Sequence, residues 1–336
     1  MENIDEPLPE INSKQEPVST EDVIIYPPKY RKPVQPANAW LKSITSLALY
    51  LALGYYLFKR WEILLLITAI VMIHELGHFF AMKFFGYNDL GIFFIPLLGA
   101  YVSGTKREVS QKESAVILLA GPLPGIIIGC IFYLIDQQGA GHYLFNIPYS
   151  RIGLLFIILN LINLFPVYPL DGGQLLNRVF LDEESLVSKI FIFLSIGFMC
   201  WFAIKMSFYP LLIFPAMMLL RMVGEKNINN IEKRIEAEGI NTDIEYDDLP
   251  DQDYWRIRNI LIEEHPSYKD TAPAPPFEYD VKEERIMTTI QNLLHRHLIQ
   301  DVSITGKIFI FLIWTAGIAS PWLINMDMTF FRQFGF

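Results

Sequence analysis

The sequence predicts an all-α polytopic membrane protein of about seven transmembrane helices, with a short hairpin near the membrane surface and a small helical cytoplasmic domain. Three observations carry this. Of 336 residues, 52% are hydrophobic and 14% aromatic, and the apolar residues fall into long runs instead of the alternation of a soluble domain. The runs have the length of about 20 residues that a helix needs to cross a bilayer. A charged stretch, 224–304, interrupts them late in the chain.

Residues 1–40 carry Glu2, Asp5, Glu6, Glu10 and scattered prolines, with neither the basic start nor the short apolar core of a secretory signal. They read as a retained, unstructured tail. The core, 41–223, holds spans near 41–58, 61–85, 114–135, 152–170, 188–205 and 207–223. Only Lys59 and Arg60 separate the first two spans, and only the neighbourhood of Lys205 to Phe208 the fifth and sixth, so each pair predicts a tight antiparallel hairpin. A seventh span, 306–324, lies in the C-terminal segment 305–336.

Between spans two and three, GYNDLGIFFIPLLGAYVS (86–103) is apolar but broken by Gly86, Gly91, Pro96 and Gly99, which suits a hairpin or re-entrant piece and not a spanning helix. The 224–304 region has helical patterns near 228–238, 252–264 and 280–299 and a proline-rich break, TAPAPPF, at 271–277.

Basic residues set the expected orientation. Lys29, Arg31, Lys32, Lys42, Lys106, Arg107, Lys112, Arg178, Lys189, Arg221 and Lys226 fall on one side of the predicted spans. Lys59, Arg60, Arg151, Lys205 and Arg332 fall on the other. The N-terminus and the 224–304 domain are therefore expected in the cytoplasm. The net charge of −9 excludes a basic nucleic-acid-binding surface, and Cys130 and Cys200, both inside apolar runs, read as packing residues.

The chemistry concentrates in VMIHELGHFFAMKFF, 71–85. Residues four apart on a helix lie about 40° apart around its axis, so His74 and His78 share a face and can grip one metal ion. Glu75 can reach a water on that ion without being a ligand. Ionisable groups inside a span cost about 2.5–3.5 kcal/mol each or more, which makes a functional reading the default. Zinc suits imidazole nitrogen and an open fourth position.

A third ligand is needed. His265, His295 and His297 fall in the charged region, beyond the membrane, and His142 falls in an outer loop. Asp171 ends an apolar run in NLINLFPVYPLDGGQ, 160–174, where Pro166, Pro169, Gly172 and Gly173 would break span four short of the surface and leave the carboxylate at the depth of His74 and His78.

HELGH followed by NLFPVYPLDGG resembles the site-2 protease family of intramembrane zinc metalloproteases, over about spans two to four. The resemblance implies one zinc per chain held by His74, His78 and Asp171, with Glu75 as the catalytic glutamate and Asn163 facing the site to assist substrate binding or oxyanion stabilisation. It gives the 86–103 segment the place of a membrane-associated β-hairpin whose edge receives an extended substrate. It also implies a single-pass transmembrane substrate and a place in the bacterial inner membrane. AGPLPG, 120–125, is similar to a glycine-proline motif of span three but has Pro124 and Gly125 where many members have a small residue and an asparagine, and no PDZ-sized insert interrupts the core. A metal transporter or sensor, and an inactive protease-like scaffold, are the competing readings.

Overall fold

The structure, a computed structural model, describes residues 26–32, 39–96, 99–106, 108–139, 141–181, 185–294 and 298–326. Most of the N-terminal tail, the far C-terminus, Arg107, His295, His297 and Arg332 lie outside the described residues.

Helix α1 (Ala39–Phe58) turns back through Lys59, whose φ is +51°, into α2 (Trp61–Phe84), and Tyr55 stacks on Trp61 at 4.2 Å across the turn. The expected hairpin of helices is present. After Gly86, at φ +76°, the broken apolar segment forms β1 (Asn88–Ile95) and β2 (Gly99–Thr105), antiparallel with Ile92 opposite Val102. Of the two readings the sequence allowed for 86–103, the hairpin is the one observed. Ser46 of α1 accepts the Phe94 N–H at 3.1 Å and Tyr50 packs on the Phe94 ring, so α1 carries the hairpin.

Helices α3 (Gln111–Ala120) and α4 (Pro122–Gln137) run on as one apolar length, and Pro122, lacking an N–H, sits where a helix start has no use for one. A small ribbon, β3 (Tyr143–Leu144) with β4 (Ile147–Pro148), turns through Phe145 and Asn146, both at positive φ, into α5 (Tyr149–Leu164). Extended backbone at Phe165 ends α5, and the short α6 (Asp171–Leu175) follows, continued by a π turn at Leu176–Phe180. Then come α7 (Leu186–Lys205), α8 (Ile213–Ala237), α9 (Asp251–Glu264), α10 (Glu283–Leu293) and α11 (Ile304–Leu323).

Among the described residues four helical lengths are long and apolar enough to cross a bilayer: α2, α3 with α4, α7 and α11. Helix α5 and the stretch Tyr209–Met222 are apolar but shorter. The proline-containing break stops α5 at Leu164, ahead of the expected limit of residue 170. Helix α11 closes the gap this leaves, because Trp314 donates its indole N–H to the freed Leu164 carbonyl at 2.8 Å.

The charged region forms a helical unit of its own. The lower part of α8, together with α9 and α10, buries Ile231, Ile235, Trp255, Ile257, Ile260, Leu261, Ile286 and Ile290 in one core. Residues 26–32, which the sequence suggested as unstructured tail, lie on this unit, with Tyr26 and Tyr30 packed against its core. Burial, reinforced by the Glu283 charge, pushes the phenols of Tyr246 and Tyr254 well above their usual range, so both remain hydrogen-bond donors.

Candidate metal centre

The site starts from two glycines. Gly77, inside HELGH, has no room for a side chain, since a Cβ there would stand 1.9 Å from the Ala120 carbonyl oxygen. A Cβ on Gly121 would stand 2.3 Å from His78 Nε2. Helix α2 therefore lies against the α3–α4 junction at backbone contact, which brings the Ile117 carbonyl within 2.8 Å of His78 Nδ1. That carbonyl accepts the Nδ1 proton and leaves the Nε2 lone pair free.

His74 is oriented the same way from the other side. Its Nδ1 donates to Asn160 Oδ1 of α5 at 2.9 Å, and Asn160 is fixed by its own amide donating to the Phe156 carbonyl at 2.8 Å. The Asn160 side chain fills the space over Gly125, where a Cβ would stand 2.2 Å from its Nδ2. Gly125, one of the two positions at which the sequence departs from the resemblance, thus makes room for Asn160.

Asp171 comes from the break after α5. Glycine is required twice: a Cβ on Gly172 would meet the Leu164 carbonyl oxygen at 2.0 Å, and one on Gly173 the Val167 carbonyl carbon at 2.3 Å. The start of α6 folds back onto the end of α5, and Tyr168 N–H, held at 3.1 Å by Ser195 Oγ of α7, anchors the turn.

These pieces place His74, His78 and Asp171 together. His74 Nε2 lies 3.1 Å and His78 Nε2 3.3 Å from Asp171 Oδ2, and the two Nε2 atoms are 3.1 Å apart. Zinc bound at about 2.0–2.1 Å with tetrahedral angles holds neighbouring ligand atoms about 3.3 Å apart, so the triangle fits one face of such a site. Asp171 Oδ2 is shut off from solvent and has no hydrogen-bond partner, an expensive condition for a carboxylate oxygen unless a cation meets it. Among the described residues this is the one group of three or more His, Cys, Asp or Glu side chains able to hold a metal ion.

The triangle opens on a cavity of about 1170 Å³, lined also by Glu75, Asn163, Gln174 and β2 residues from Gly99 to Thr105, and by Tyr246, Thr288 and Gln291 of the helical unit. Glu75 is buried beside the two histidines. Asn163 donates to the Leu159 carbonyl at 3.2 Å, with its second N–H available. His265, in the helical unit, accepts the Ser267 N–H, and His142 stacks on Tyr149. The five residues named from the sequence, His74, Glu75, His78, Asn163 and Asp171, all line this cavity, as does Asn160, which the sequence reading did not name and whose only signal is an amide inside an apolar helix three residues before Asn163.

The model of Peptidase family M50 matches residues 62–145. Stage IV sporulation protein FB of Bacillus subtilis is 30% identical over 43% of this chain and 50% of its own length. Zinc metalloprotease MJ0392 of Methanocaldococcus jannaschii is 28% identical over 41% of this chain and 40% of its own. The chain therefore spans about half the length of the curated relatives it matches, or less. The solved site-2 protease from Methanocaldococcus jannaschii is 22% identical, with a TM-score of 0.39 over 53% of this chain and 84% of that one, an overlap too low to carry an argument. The family match takes in HELGH and AGPLPG and, with the two named relatives, agrees with the motifs that meet in the cavity: over residues 62–145 the chain is similar to peptidase family M50.

Proposed function

We propose that this protein is an intramembrane zinc metalloendopeptidase that hydrolyses a peptide bond in or near the transmembrane segment of a single-pass membrane protein. The observation that carries the reading is the solvent-excluded, partnerless Asp171 Oδ2 facing two histidine Nε2 atoms, with Glu75 beside them in the same cavity. A relative named as a zinc metalloprotease supports the choice of metal and reaction.

His74, His78 and Asp171 would hold one zinc ion. When bound, zinc would lower the pKa of a coordinated water to roughly 7 and polarise the scissile carbonyl. Glu75 takes the proton of the attacking water and returns it to the leaving amine. The free N–H of Asn163 serves the oxygen on which charge develops. Asn160 and the Ile117 carbonyl hold both imidazoles in the tautomer that presents Nε2.

A substrate helix hides its carbonyls in its own ladder, so it must unwind before attack. The β2 side of the cavity offers an extended strand to pair with, and substrates with Gly, Pro, Asn or Ser near the cytoplasmic end of their span suit this best. Helices α1, α5 and the Tyr209–Met222 stretch complete seven crossings of a bacterial inner membrane with the N-terminus and the 224–304 domain in the cytoplasm. Residues 41–223 are the protease core.

The test is cleavage of a tagged single-pass substrate by the purified protein in liposomes, with Glu75→Gln alongside and zinc quantified in both. Zinc in both, with cleavage reduced about 10²–10⁴-fold in the variant, is expected. Zinc in both with no cleavage of any substrate in a panel spanning helix-breaking and helix-stabilised segments would overturn the reading in favour of a sensor or scaffold.

A further inference from the structure

Residues 26–32 read Tyr-Pro-Pro-Lys-Tyr-Arg-Lys and lie on the helical unit without regular secondary structure, held by backbone and side-chain bonds. Trp255 donates its indole N–H to the Pro27 carbonyl at 2.8 Å, Tyr279 its hydroxyl to the Pro28 carbonyl, and Tyr246 its hydroxyl to the Tyr30 carbonyl at 2.6 Å. The Lys29 N–H donates to Asp251 at 2.8 Å, and the buried Lys29 ammonium donates to the Asp247 and Leu249 carbonyls, each at 2.6 Å. Aromatic donors reading the carbonyls of a proline-rich extended segment are the physics by which such segments are bound as separate ligands. Here the ligand belongs to the same chain.

Two further facts give the contact a consequence. The loop that Lys29 and Tyr30 hold, 245–249, overhangs the metal cavity, because Glu245 and Tyr246 line it. Seven residues after Lys32 the chain enters α1 at Ala39, and α1 carries the hairpin whose β2 strand forms another part of the cavity wall. Seven steps of chain reach at most about 25 Å. The segment thus ties the helical roof of the cavity to its hairpin wall.

We infer that residues 26–32 act as a clasp: seated in the groove formed by Tyr246, Trp255 and Tyr279 they hold the helical unit over the metal cavity, and their release opens the cavity to substrate. This rests on the proposed protease reading for its purpose, though not for its measurement. Clasping depends on the tether, since a short tether gives the bound segment an effective concentration in the millimolar range that a free peptide must match.

The experiment uses the full chain in liposomes carrying Val102→Cys in the cavity wall, with Cys130 and Cys200 replaced by alanine, and measures the rate of modification by a water-soluble maleimide. Lys29→Ala and, separately, Tyr246→Phe loosen the clasp from its two sides, the second without changing volume. Each should speed modification by roughly tenfold, the worth of one or two hydrogen bonds. A fluorescent peptide of sequence Tyr-Pro-Pro-Lys-Tyr-Arg-Lys should bind the Lys29→Ala chain about tenfold more tightly than the parent, because the tethered segment competes about tenfold less well. Modification rates equal to the parent in both variants, or equal peptide binding to parent and variant, would overturn the clasp. Faster modification in chains that cleave no substrate would uphold the clasp and remove the protease reading.

Discussion

Among the described residues, ionisable groups are buried in the helical unit and at the candidate metal centre, and the two places treat them in opposite ways. In the helical unit, Arg258 and Glu283 are both about 1% exposed, and nearly all of their hydrogen-bonding capacity is used. Arg258 donates to both Glu283 oxygens at 2.8 and 3.1 Å and to the Ala272 and Glu278 carbonyls, while Glu283 also accepts from the Tyr254 hydroxyl and the Asp280 N–H. At the metal centre Asp171 Oδ2 has no hydrogen-bond donor, and two imidazole lone pairs point at it. A saturated buried pair holds a fold together, whereas an oxygen left unsatisfied among lone pairs is held ready for a cation.

That contrast can be broken at three points. Asp171→Asn keeps the shape and removes the charge. Zinc affinity should fall roughly a thousandfold or more, read by competition with a chelator, while the metal-free protein melts no lower than the parent because an uncompensated charge has gone. If the metal-free variant instead unfolds at markedly lower temperature, Asp171 is structural and the contrast fails. Arg258→Met should do the reverse, costing about 3–5 kcal/mol of the helical unit's stability by stranding Glu283, with zinc content unchanged. Replacing both partners with apolar residues should recover much of the loss. Asn160→Leu, the smallest of the three, should weaken zinc binding about 10–100-fold through the orientation of His74 without touching a ligand. Equal affinity in that variant would show that His74 is aligned by packing alone.

What could be read in advance follows the range of the signal. HELGH is a local pattern on one helix, and its two imidazoles share a face wherever that helix goes. Asp171 was legible because prolines and glycines announce a break at a definite depth. Asn160 and Asn163 lie three apart on α5, and which of them reaches His74 depends on how α5 rotates against α2, a tertiary matter. The glycines of the α2 to α3–α4 contact show their purpose only when the opposing backbone is present. Residues 26–32 looked like tail because composition describes a segment by itself, and their partners lie more than 200 positions away. The length of α5 was overestimated because apolar residues continue past Leu164, although Phe165 is already extended.

Helix α8 runs without interruption from Ile213 to Ala237, through the apolar Tyr209–Met222 stretch and into the core of the helical unit. At 1.5 Å per residue it is a rod of about 38 Å, and a 5° change of tilt at one end displaces the other by about 3 Å. In the proposed seven-span topology such a rod would convert bilayer thickness, to which a membrane helix responds by tilting, into movement of the loop that overhangs the candidate metal site. On that topology the thickness of the lipid would be mechanically legible at the candidate metal site.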